Sequence, residues 1–304
     1  MGKPIILFTG TSGLNNVIDP TRLRFDPKTG ISDLAIAHNV DIDDTGRPSR
    51  RGGFDLSDQT GEWHSLFCDG GSALGVSGDA LALISQDLGG YTPLRNVTRG
   101  AKMRYCQVKD FIYYSNQREI GVVVNEVSQS WVGADYVGPT TQRTFSDPPI
   151  CKLLANYNGR MFLSVDTRVL YSEPYAYAWY DMARNWLPFR SEILMIAPVK
   201  DGIYFSDSHN IYFCQGNNPQ DFDKRVMATY PAIEDTNVTK EGASLKGGEF
   251  GFEHYAMFST TKGICAGFPS GLFINLTEKK LIFPSAKSGS AAIVQGKYMT
   301  LLNP

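Results

Sequence analysis

The residues able to do chemistry are few and scattered. Four histidines (His38, His64, His209 and His254) and five cysteines (Cys68, Cys106, Cys151, Cys214 and Cys265) are the strongest metal ligands and nucleophiles available. A zinc site needs such residues at short fixed spacings, and neither a C-x-x-C pair nor a histidine pair is present. No metal centre is expected, and the odd number of dispersed cysteines reads as buried thiols in a reducing compartment. Gly10-Thr11-Ser12-Gly13-Leu14-Asn15-Asn16 follows an apolar stretch, as a phosphate loop would, but it lacks the lysine that reaches the phosphates. The G-x-G-x-x-G spacing of a dinucleotide site is also missing, so no cofactor is expected. Asp41-Ile42-Asp43-Asp44-Thr45-Gly46 opens like a calcium loop, yet its twelfth position is Gly52 in place of a bidentate glutamate. A tight hairpin turn accounts for the same residues. With no G-x-S-x-G elbow and no repeated acidic turns, no catalytic residue is expected and the protein reads as a non-enzyme.

The densest basic cluster, Arg47-Pro48-Ser49-Arg50-Arg51, follows directly on that acidic turn. It reads either as an exposed strand end balanced by Asp41, Asp43 and Asp44, or as a contact to a neighbouring subunit or to DNA backbone, since arginine forks suit carboxylate and phosphate alike. Arg47, Arg50, Arg51, Asp41 and Asp43 are therefore the candidate subunit-interface residues.

The elements that must position these residues are strands. The chain has 304 residues, 42% of them hydrophobic, with 15 Tyr and 17 Phe set among 30 Gly and 16 Pro. That composition suits many short strands joined by turns. An apolar strand, a turn and a second apolar strand recur. The pattern is clearest in Ile203-Tyr204-Phe205-Ser206 with Ile211-Tyr212-Phe213-Cys214, and in Met161-Phe162-Leu163-Ser164 with Val169-Leu170-Tyr171-Ser172. Weaker copies include Phe111–Ser115, Leu81–Ile84, Ile264 to Ile274 and a truncated one at Gln295 to Met299. Taking Gly70, Asp110, Gly159, Gly202, Gly263 and Gly296 as turn markers, most steps lie near the roughly 40 to 50 residues of a four-stranded blade. Runs without polar alternation are what strands covered on both faces require.

The expected fold is all-β, a β-propeller of about five to six blades, with a β-sandwich or a pair of barrels as the other architectures compatible with hairpins at this spacing. Residues 1–60 form an N-terminal arm and first hairpin, with a strand around Ile5 to Phe8 able to close the ring. Residues 61–304 carry the blades. The long step from Gly202 to Gly263 predicts an inserted loop at about 217–250. Gly30 to Asn39 could make one or two helical turns with Ser32 as cap, and Tyr175 to Trp186 either a helix or a loop with aromatic anchors.

Net charge is −2, without the positive field of a free nucleic-acid binder. The opening apolar run is too short for a signal core or a membrane span, which predicts a soluble protein made in a cytoplasm.

Gly13-Leu14-Asn15-Asn16 and the later Ala37-His38-Asn39-Val40-Asp41-Ile42-Asp43-Asp44-Thr45-Gly46, running on to Arg51-Gly52-Gly53, resemble the openings of structural proteins of tailed bacteriophages. Those openings pair "G-x-N-N" with "A-x-N-V-D-x-D-x-x-G-x-x-x-x-R-x-G". Tyr171-Ser172-Glu173-Pro174, Asp201-Gly202-Ile203-Tyr204 and Gly216-Asn217-Asn218-Pro219 look like blade motifs of the same proteins. The resemblance implies a virion protein of the tail, a nozzle or tail-tube component assembled in the host bacterial cytoplasm. Copies of it, commonly six, would form a ring beneath portal and adaptor, and double-stranded DNA would pass through passively. The alternative is a receptor- or carbohydrate-binding propeller presenting Tyr175, Tyr177, Trp179 and Trp186 on one face.

Overall fold

The computed structural model describes residues 9–43, 45–53, 62–69, 72–133, 143–241, 254–294 and 296–304. Five four-stranded antiparallel sheets succeed one another, each with its strands in chain order. The first holds Trp63–Asp69, Ser72–Ser77, Ala80–Ile84 and Tyr91–Asn96. The second holds Arg104–Val108, Phe111–Ser115, Ile120–Val124 and Val127–Gln129. The third runs Leu154–Tyr157, Arg160–Val165, Arg168–Tyr171 and Trp186–Pro188. The fourth runs Ile193–Val199, Gly202–Asp207, Ile211–Gln215 and Asp223–Ala228. The fifth is Val238–Glu241, His254–Thr260, Gly263–Gly267 and Phe273–Asn275. A two-stranded sheet, Ser288–Val294 with Lys297–Asn303, follows.

The sheets stack face to face about an axis as a β-propeller. Every residue of Gly202–Asp207 is buried, which is why Ile203-Tyr204-Phe205 shows no alternation: both faces of the strand are covered. A separate apolar cluster fills each interface. Leu74, Val76 and Leu81 meet Ile112, Tyr114 and Val123 between the first and second sheets. Tyr113 and Trp131 meet Met161 and Leu163 between the second and third. Phe162 and Tyr171 meet Ile203 and Phe205 next, then Tyr204 and Phe213 meet Phe258 and Cys265. Tyr255 and Phe268 pack with Ile293 and Tyr298 of the two-stranded sheet. Each fully buried side chain of this size contributes roughly 1.5–3 kcal/mol. The turn Asn158-Gly159 has φ of 47° and 71°, the left-handed pair that a two-residue type I′ hairpin demands and that Asn-Gly supplies most readily.

The N-terminal arm is a small structure of its own. Gly10–Leu14 pairs in parallel with Ile31–Leu34, which pairs antiparallel with Phe25–Asp26. Val40–Ile42 and Pro48–Arg50 form the expected hairpin.

Two expectations are revised. Gly30 to Asn39 contributes a strand, not helical turns, because Ser32 and Asp33 are drawn into pairing and hydrogen bonding with the first strand. Of the two readings of Tyr175 to Trp186, the loop with an aromatic anchor, buried Tyr180, is the one adopted up to Asn185, and Trp186 opens a strand. The 217–250 stretch carries two strands, Asp223–Ala228 and Val238–Glu241. The first is an outer edge strand whose Asp223, Lys224 and Arg225 are exposed, so it needs no apolar run. Gly263 lies between the second and third strands of its sheet, whereas the preceding markers follow the first strand. The long marker step thus counts one strand too many. The proposed closing strand at Ile5 to Phe8 lies outside the described residues, as do 242–253.

Cys151, Cys214 and Cys265 are buried and Cys68 is exposed. Burial pushes the thiols of Cys106, Cys151 and Cys214 up to about 12 and that of Cys265 to about 11. A disulfide exchange reagent at pH 8 is therefore expected to titrate one thiol rapidly in the folded protein and four more only after denaturation. Two or more fast thiols would contradict this packing.

Candidate functional site

A set of ion-paired residues lies at or just ahead of the first strand of successive sheets: Lys102 and Arg104 for the second, Lys152 for the third, Glu192 for the fourth, Glu234 and Asp235 for the fifth. Ring topology carries them to one place. Arg104 Nε donates to Asp235 Oδ1 at 2.8 Å and Nη2 to Asp235 Oδ2 at 3.0 Å, while Nη2 also reaches Glu234. Lys102 Nζ stands 2.9 Å from Asp235 Oδ2 and donates to the Gly289 carbonyl at 2.9 Å. Lys152 Nζ lies 2.8 Å from both Glu192 and Glu234. Gly289 N–H returns a bond to the Glu234 carbonyl at 2.9 Å. Three cations and three carboxylates thus tie the second to fifth sheets and the two-stranded sheet across the axis.

Burial opposes ionisation of Asp235, but hydrogen bonds and charge from Arg104, then Lys102, outweigh it and hold the carboxyl below its usual range. Because the folded-state value is depressed, this stabilisation is complete above the ordinary aspartate range and is lost as pH falls through and below it. Thermal scans are expected to show a flat melting temperature from pH 7 to about 5 and a steep fall below about 4; the variant Asp235→Asn should flatten part of that fall. On the first sheet, burial and the nearby Lys102 charge lower the His64 pKa, which keeps the imidazole neutral at pH 7. Ser65 Oγ accepts from Met103 N–H at 2.9 Å and sits 2.8 Å from His64 Nδ1, joining the first two sheets.

His64, Ser65, Lys102, Met103, Arg104 and Asp235 border a cavity of about 1340 Å³. Its walls include Trp63, Leu66 and Phe67 of the first sheet, Leu153, Leu154 and Ile196, and Val294, Tyr298 and Leu301 of the two-stranded sheet. Among the described residues, no group of three or more His, Cys, Asp or Glu is placed to hold a metal ion. The arrangement offers an apolar enclosure with fixed charges at its rim.

The expected interface residues are only partly brought together. Asp41 Oδ1 lies 3.7 Å from Arg51 Nε, both half-exposed, and Arg51 borders the cavity. Asp43 serves its own turn, accepting from Thr45 N–H at 2.8 Å, Thr45 Oγ1 at 2.6 Å and Arg47 N–H at 2.9 Å. Arg47 and Arg50 are exposed. The G-x-N-N motif has a mechanical role. Asn15 Oδ1 accepts from Val17 and Ile18 N–H, and its Nδ2 donates to buried Asp33 at 2.9 Å. Asn16 Oδ1 accepts from Ile282 N–H at 2.6 Å, and Asn16 N–H donates to the Lys280 carbonyl at 3.0 Å. Lys280 Nζ closes the clasp on Ser12 O at 2.6 Å and Asp33 at 3.3 Å. The arm is thereby fastened to the segment between the fifth sheet and the two-stranded sheet.

Of the four aromatics of the glycan-binding alternative, Tyr175 is 79% exposed, and Tyr177, Trp179 and Trp186 are half-buried. Tyr177 packs on Tyr113 at 6.0 Å, Trp179 on Phe145 at 6.1 Å, and Trp186 lies under Arg168 at 4.9 Å. In the sequence the ion-paired charges carry one signal, a charged residue at or shortly before the first strand of the second to fifth sheets.

The class defined by these sheets is the all-β propeller. Among solved structures, the chain is similar to the extracellular domain of the hybrid two component system BT4673 from B. thetaiotaomicron, at 8% identity and TM-score 0.51, over 82% of this chain and 33% of that one. It thus spans about a third of that protein's length. It is also similar to the Pan2 WD40 domain of Neurospora crassa (8% identity, 68% of this chain and 61% of that one, TM-score 0.41). A third similar structure is XC5397, a gluconolactonase from Xanthomonas campestris (13%, 76% and 82%, TM-score 0.43). At these identities the likeness concerns the fold alone. No family model and no curated protein matches the chain.

Proposed function

We propose that this protein is a non-enzymatic structural component of a tailed-bacteriophage tail. In this reading it is a nozzle or tail-tube subunit whose copies form a ring, of six as is common in such proteins, continuing the DNA channel below portal and adaptor. The reading rests on the resemblance of residues 13–54, and the carrying observation is what those residues build. Both motifs belong to one arm, fastened by Asn15, Asn16 and Asp33 to the propeller and displaying Arg47 and Arg50 together with exposed Val17, Ile18, Phe25 and Ile36. A docked module with exposed apolar and basic groups suits contact with a neighbouring subunit. The net charge of −2 suits a channel wall that lets DNA pass without holding its phosphates.

The test is the solution mass of the purified protein, with electron microscopy of any large species and of virions carrying it. A closed ring, or density at the tail end, supports the reading, and the double variant Arg47→Ala/Arg50→Ala is then expected to shift the ring toward monomer. A stable monomer absent from virions would overturn it.

A further inference from the structure

Five interfaces between neighbouring sheets are each filled by an apolar cluster. Where the two-stranded sheet turns toward the first sheet, the described residues form no such cluster, and the cavity opens instead. Its walls there hold large apolar side chains in the open: Leu66 is 69% exposed, Leu301 77% and Val294 48%. Leu66 and Trp63 already lie close across Gly75, whose added Cβ would stand 2.8 Å from Leu66 Cδ2 and 3.1 Å from Trp63. Neither side chain can fold down further onto its own sheet. Apolar surface kept exposed inside a concavity is the usual mark of a ligand site.

The charge on the same walls is lopsided. Among the described residues, Arg51, Lys102 and Arg104 line the cavity against one carboxylate, Asp235, which Arg104 and Lys102 already hold. Lys102 spends two of its three donors, on Asp235 and on the Gly289 carbonyl. Arg51 stands 3.7 Å from Asp41, beyond hydrogen-bond reach, with its side chain 39% exposed. Arg104 Nη1 is buried without an acceptor among the described residues, so the rim carries more donors than its own acidic residue can satisfy.

We propose that this wedge is a binding site for an amphipathic organic carboxylate. Its apolar body lies against Leu66, Val294 and Leu301, and its carboxylate is answered by Arg51 and Lys102. The site belongs to the single chain and does not depend on ring assembly. A neutral apolar molecule would leave the cations unmatched; a small hydrophilic anion would leave the leucines wet.

Calorimetric titration with sodium decanoate, below the concentration at which it forms micelles, tests the site. One saturable site per chain is expected. Decan-1-ol and butanoate should each bind at least about tenfold more weakly, a tenfold change being 1.4 kcal/mol. Leu301→Asp adds a charge at an exposed position, leaving the circular dichroism spectrum unchanged while abolishing the heat. Arg51→Gln should weaken decanoate about tenfold and leave decan-1-ol unaffected. Absence of saturable binding, equal affinity for the alcohol, or an unaffected Leu301→Asp variant would each overturn the proposal. The result is independent of whether the protein proves monomeric or annular.

Discussion

Replacing Arg104 by alanine is expected to lower the free energy of unfolding by about 3 kcal/mol, because it leaves the largely covered carboxylates of Asp235 and Glu234 without their guanidinium partner. The Arg104 side chain is only 12% exposed and makes two bonds to Asp235 and a contact to Glu234, whose remaining cationic partners are Lys102 and Lys152, respectively. Urea denaturation at pH 7 would measure the loss. The charge-balanced double variant Arg104→Met/Glu234→Gln, which leaves Lys102 on Asp235 and Lys152 on Glu192, should recover part of it, since removing both members of a desolvated pair costs less than removing one. The exposed Arg99–Glu62 pair, 69% exposed on both sides, provides the contrast: Arg99→Ala should leave the denaturation midpoint unchanged. An Arg104→Ala variant as stable as the parent would mean that water already solvates the axial cluster.

The second large effect is local. Asp33 joins Ser12, Asn15 and Lys280, so Asp33→Ala removes the hub of the clasp that fastens the arm. Hydrogen bonds to a charged group are worth about 1.5–3 kcal/mol each. Allowing for the half-exposed lysine, loss of the hub should raise arm opening about 100-fold. Trypsin is then expected to cut at Arg22, Arg24 and Arg50 well before the propeller, while the main thermal transition moves little. If cleavage stays at the parental rate, the arm is held by something other than this clasp. On the assembly reading, the same variant should form no rings.

The parts of the fold visible in the sequence are those decided by burial. Ile203-Tyr204-Phe205 and Met161-Phe162-Leu163 announce middle strands because nothing polar survives between two covered faces. Val238-Thr239-Lys240-Glu241 does not, although it is the first strand of its sheet: a short strand with mixed side chains carries no periodic signal of its own and is recruited by pairing with His254–Thr260. Ser32 suggested a helix cap, but the parallel pairing that claims Ile31–Leu34 comes from residues some twenty positions earlier, which no local propensity records. The candidate site was hidden for the same reason. Lys102, Lys152, Glu192 and Asp235 lie on separate sheets, and only closure of the ring gives them shared neighbours. Arg51 and Asp41 are legible because one short hairpin, which pairs Asp41 with Ser49, brings them near each other.

Arg104 and Asp235 are 131 positions apart in the chain, and this separation bears on how the molecule comes apart. A contact between such distant residues can form only after the sheets between them have stacked, since the entropy of closing so long a loop must be met first. The axial pair is therefore a latecomer to folding, largely unmade at the rate-limiting barrier. Its removal should quicken unfolding while leaving the refolding rate nearly unchanged, so that the axis governs how long a folded molecule lasts and has little say in how fast one is made.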